Sequence, residues 1–121
     1  MSCSAITVPR GDTYRFRVFV LDANQAPLNL DSTLVITGAE FSVRTDLDAV
    51  VFLIQKTLGA GVEKLPQSGD TIGALEVTIS PTDSNITPGT FVYDLRVLVG
   101  SDKFHVLLPA EFIIVPTVNY T

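Results

Sequence analysis

Thr13-Tyr14-Arg15-Phe16-Arg17-Val18-Phe19-Val20-Leu21-Asp22 is the stretch whose reading decides the fold. Its period is two: Tyr14, Phe16, Val18 and Val20 share one face, and Arg15, Arg17, Phe19 and Leu21 the other. Aromatic and β-branched residues dominate it, so it reads as a strand half-buried against a core. Upstream, Ile6-Thr7-Val8 forms a short first strand, and Pro9-Arg10-Gly11-Asp12 is the turn between the two. Downstream, Ala23-Asn24-Gln25-Ala26-Pro27 ends the long strand. Residues 28–37 read as an irregular connection, with Leu34-Val35-Ile36 extended.

The same period recurs along the chain. Residues 40–45 (Phe41 and Val43 on one face) and 50–57 form a hairpin around Asp46-Leu47-Asp48-Ala49. The run Val50-Val51-Phe52-Leu53-Ile54 is β-branched and apolar on both sides, which favours a strand over a helix across residues 46–58. A short strand is expected at 62–65. Residues 74–80 alternate, with Leu75, Val77 and Ile79 inward, and Pro81 ends them. A tight helical turn follows at 82–86. Residues 90–99 place Phe91, Tyr93, Leu95, Val97 and Val99 on one face, and Gly100-Ser101-Asp102 turns the chain into a strand at 103–108. Pro109 is expected to interrupt before a last strand at 111–115. Seven to nine short strands at this spacing indicate a sandwich or barrel.

The chain has 121 residues, enough for one domain over 1–121 and for a core that needs no disulfide or metal. Charged residues make up 17% against roughly 25% in typical soluble domains. With 46% hydrophobic residues, disorder is excluded. A net charge of −5 and scattered basic residues argue against nucleic acid as a partner. No run approaches the length of a membrane helix, so no membrane is expected either. The N-terminus lacks the basic and apolar regions of a signal peptide, which makes synthesis in a cytosol the expectation.

Little in the sequence suggests chemistry, and catalytic, cofactor-binding and metal-binding residues are all expected to be absent. His105 is the single imidazole and alternates with apolar neighbours, as an ordinary strand residue does. Cys3, the lone cysteine, has no fixed partner. Asp46 and Asp48 share a loop but lack the glycine and downstream glutamate of a calcium hand. Asp70, Asp83 and Asp102 occupy turns, which aspartate favours for its local hydrogen bonds. Gly59-Ala60-Gly61 begins like a phosphate loop without its third glycine or its helix, and reads as a backbone hinge.

One feature stands above this background. Residues 50–54 and Phe112-Ile113-Ile114-Val115 are apolar on both faces, whereas a lone sandwich leaves each sheet's outer face in water. The expectation is that something covers them: either a loop or terminus of the same chain, such as residues 28–37, or another subunit. The candidate interface residues are Val50, Phe52, Ile54, Phe112 and Ile114.

Several phrases together resemble the N-terminal domain of phage baseplate upper proteins. They are Ile6-Thr7-Val8-Pro9-Arg10-Gly11-Asp12-Thr13-Tyr14-Arg15-Phe16, Ala26-Pro27-Leu28-Asn29-Leu30, Phe41-Ser42-Val43-Arg44, and Leu75-Glu76-Val77-Thr78-Ile79-Ser80-Pro81-Thr82-Asp83. Pro88-Gly89-Thr90-Phe91-Val92-Tyr93-Asp94-Leu95 matches best. The resemblance spans nearly the whole chain. It implies an all-β, immunoglobulin-like antiparallel β-sandwich in a virion made in the host cytoplasm. The implied role is a non-enzymatic tail or baseplate adaptor that forms a homo-oligomer of threefold or sixfold symmetry. It would dock a fibre or other virion proteins. A capsid decoration or head-fibre protein and a carbohydrate-binding or adhesive module are the alternatives. Members of that family often continue into further C-terminal domains, so the chain is either a free-standing adaptor or decoration protein or a piece of a longer one. Phe91 also stands where an immunoglobulin tyrosine corner carries tyrosine.

Overall fold

The computed structural model describes residues 5–46, 48 and 51–116, apart from the side chain of Leu108. Eight strands are found among them: β1 (Ile6–Pro9), β2 (Tyr14–Phe19), β3 (Gly38–Arg44), β4 (Phe52–Leu58), β5 (Gly61–Lys64), β6 (Ala74–Ile79), β7 (Gly89–Val99) and β8 (Asp102–Val115). One short helix, α1 (Pro81–Ser84), joins β6 to β7. The strands form one continuous sheet in the order β1-β8-β7-β3-β4-β5-β6-β2. The all-β expectation holds, but two pairings among the described residues are parallel, β1 with β8 and β4 with β5.

The chain turns tightly between β4 and β5. There Gly59 and Gly61 have φ of +87° and +104°, and the Thr57 and Ala60 amides each bond the other's carbonyl. Gly59-Ala60-Gly61, expected as a backbone hinge, forms this turn. At the other end, β1 and β2 are the two edge strands, yet only residues 10–13 separate them in sequence. The two ends of the sheet are thus held near each other, and the sheet is nearly barrel-shaped. Ser84, fully buried, donates its hydroxyl to the Asp12 carbonyl at 2.7 Å and so pins α1 to this turn.

Period-two alternation builds the core as the sequence predicts. Leu75, Val77 and Ile79 of β6 are fully buried, as are Phe41 and Val43 of β3. Phe16, Phe41, Tyr93 and Phe112 meet at ring-centroid distances of 5.6–6.3 Å, joining β2, β3, β7 and β8 through tilted and edge-on contacts. Residues 28–37 form no strand, although Leu34-Val35-Ile36 was expected to be extended. They cross between the two halves of the sheet, with the Leu28 amide bonding the Val20 carbonyl and the Thr37 amide the Leu98 carbonyl. Leu30 and Ile36 descend into the core between these ties.

Pro109 does not interrupt β8. Tyr93 pairs with Ala110 and Leu95 with Leu107, so three steps on β8 face two on β7. This bulge takes up the proline, whose missing N–H the ladder there does not need, since β1 borders β8 only from Phe112 onward.

Candidate protein-interaction surface

The five interface candidates separate by alternation and by one bulge. Ile54, Phe112 and Ile114 are 3%, 0% and 2% exposed and belong to the chain's own core. This corrects the expectation that they face a partner. Phe112 and Ile114 pair with Ile6 and Val8 of β1, whose side chains are buried on the same face. Val50 lies outside the described residues. Of the four that are described, Phe52 alone is exposed, at 38%.

The bulge explains why. Val43 pairs with Ile54 but Arg44 pairs with Phe52, so Leu53 is the extra residue on β4. Phe52 then shares the solvent side with Arg44 instead of following Ile54 inward. Val51, Phe52 and Leu53 form an apolar ridge, 70%, 38% and 38% exposed. Strict alternation selected positions 50, 52 and 54 and so missed Val51 and Leu53. The unbroken apolar run itself was the available signal.

A second apolar region follows the seam between β2 and β8. Phe19 and Phe104 are 37% and 50% exposed there. They line a cleft of about 490 Å³ with Leu28, Leu34 and Val97. An adjoining cleft of about 390 Å³ is lined by Tyr14, Phe16, Tyr93 and Leu107. Phe19 was legible as unusual, since it shares the arginine face of β2, whereas Phe104 carried no such mark.

The outer face of β3, β7 and β8 is ionic. Asp94, 6% exposed on the central strand β7, receives the Arg44 guanidinium at 3.6 Å and His105 Nε2 at 3.2 Å. Glu40 pairs with Arg96 at 3.4 Å and Lys103 at 3.6 Å. Ser42, Asp94 and His105 thus come within one patch, but not in the order a hydrolytic triad requires. There the imidazole stands between nucleophile and carboxylate. Here β7, carrying Asp94, lies between the strands of Ser42 and His105.

The turn carboxylates act on their own backbone. Asp46 accepts from the Asp48 amide at 2.9 Å. Asp83 accepts from the Ser80 amide and hydroxyl, both at 2.8 Å, and from Lys56 Nζ at 2.6 Å. Burial would raise the Asp83 carboxyl, but these bonds from Lys56 and Ser80, with the lysine charge, outweigh it and hold the carboxyl below its ordinary value. Among the described residues no three His, Cys, Asp or Glu side chains gather so as to hold a metal ion. Cys3 lies outside the described residues. No helix among the described residues is long and apolar enough to cross a membrane. Nothing among protein-family models or curated proteins matches the chain.

Proposed function

We propose that this protein is a non-enzymatic docking module of a phage virion, an immunoglobulin-like sandwich that self-associates and joins a fibre or neighbouring virion protein to the tail. The observation that carries the reading is the ridge at residues 51–53. Single exposed apolar residues are ordinary on a protein surface, but three in succession at the bulged start of β4 are a surface suited to a partner. The sandwich reading is supported by strand order. In an immunoglobulin-like domain G, F, C and C′ form one sheet and B, E and D the other. The order β8-β7-β3-β4 followed by β5-β6-β2 corresponds to those two groups, with α1 at the turn between E and F. The virion setting rests on the likeness of the Gly-Asp-Thr turn and the Pro-Gly strand start to baseplate modules. Self-association through the ridge would form a ring of three or six copies.

Native mass spectrometry of the purified chain tests this reading. A trimer or hexamer is expected, dissociating in the Phe52→Asp/Leu53→Asp variant. A monomer alone at every concentration would overturn self-association.

A further inference from the structure

Among the described residues β2 pairs with β6 on one side only. The Val20 amide bonds the Gly73 carbonyl, and the register runs unbroken from that pair to Tyr14 opposite Ile79. By the alternation of an antiparallel ladder, the backbone groups of Tyr14, Phe16 and Val18 point to β6. Those of Arg15, Arg17 and Phe19 point to the open edge. Across the seam, β8 is bordered by β1 only at residues 112–115, which leaves its stretch around Phe104 and Leu107 without a strand on that side among the described residues. Between these two edges lie the adjoining clefts of about 490 and 390 Å³, both floored by apolar side chains.

The rims are basic. Arg15 and Arg17 are exposed on the outer face of β2. Arg17 reaches Glu76 at 3.4 Å, and Arg15 has no acidic partner among the described residues. On the opposite rim Lys103 and His105 are exposed but already face Glu40 and Asp94, so the selecting charges are those of β2. Asp22, at one end, is engaged by its own loop, accepting from the Asn24 and Ala26 amides at 2.8 and 3.0 Å.

We infer that this seam accepts one extended segment of a partner polypeptide, added as a strand to the free edge of β2. The segment alternates apolar side chains, which enter the clefts, with acidic side chains, which meet Arg15 and Arg17. Strand addition takes its affinity from main-chain bonds and its specificity from alternate side chains. Arginines on an edge strand discourage unspecific edge pairing. The same two charges select an acidic strand over a basic one. The inference stands whether or not residues 51–53 join copies of the chain.

The probe is a blocked synthetic peptide of alternating valine and glutamate, with a valine–lysine counterpart. Amide hydrogen exchange is read by NMR on the full chain. The valine–glutamate peptide should slow exchange at Arg15, Arg17 and Phe19, and should bind at least about tenfold more tightly than the lysine peptide. The Arg15→Glu/Arg17→Glu variant, its fold verified by an unchanged core spectrum, should reverse that preference. No slowing at millimolar peptide, or equal binding of both peptides, would overturn the inference. If these amides are already protected in the protein alone and lose protection on dilution, a second copy fills the seam, and the partner assignment fails.

Discussion

Asp83 illustrates how one side chain ties several elements together. It closes a capping box with Ser80 at the start of α1 and receives Lys56 from β4. Replacing it by Asn should cost about 1 kcal/mol at neutral pH, the usual worth of such a cap. Because its native pKa is lowered, its contribution is fully present above the unfolded-chain value of about 3.9 and is lost as pH falls through the native value. The stability gap between wild type and Asp83→Asn, measured by urea unfolding, should be constant from neutral pH to about 5 and close at lower pH. Gly73 makes a different demand. Its φ is +81°, and an added Cβ would stand 3.0 Å from the Val20 carbonyl oxygen and 3.1 Å from that of Leu28. Gly73→Ala should therefore destabilise by about 1–3 kcal/mol, left-handed strain and crowding combined, seen as a lower melting temperature. The turn role of Asp83 was legible from its neighbours. The reach of Lys56 and the tightness at Gly73 were not, because both arise from strands distant in sequence.

At the scale of elements, alternation carried most of the information. It placed Phe41, Leu75, Val77, Ile79 and Tyr93 inward correctly, since one buried face forces a period of two. It failed where the strands bulge. The extra residue at Leu53 turned Phe52 outward, and the bulge in β8 carried the chain through Pro109. Bulges are settled by pairing partners, and local composition does not encode those. The same holds for the parallel β1–β8 pair, which brings Ile6 to Phe112 across most of the chain and so buries a strand that looked apolar on both faces. Phe112→Ala should accordingly cost about 3–5 kcal/mol of folding stability in chemical denaturation, as for other buried aromatics. Phe52→Asp should leave the stability of the dissociated chain, measured at high dilution, within about 0.5 kcal/mol of wild type, as surface substitutions usually do.

For the whole molecule, the nearly closed sheet leaves two surfaces unlike ordinary solvent faces: the ridge at residues 51–53 and the seam between β2 and β8. The excess of apolar residues seen in the sequence is divided between a well-filled core and these surfaces. The sequence could mark residues 50–54 and 112–115 as apolar on both faces but could not sort them, because only the folded chain separates residues that cover one another from residues left outside. The central claim is that association uses the ridge and not the core. Sedimentation velocity on wild type and Phe52→Asp/Leu53→Asp, at matched concentrations and with melting curves for both, tests it most directly. The account predicts an oligomeric wild type and a monomeric variant that still melts cooperatively, at or below the wild-type temperature as loss of association requires; a wild type that sediments as a monomer throughout, or a variant that still assembles, would contradict it.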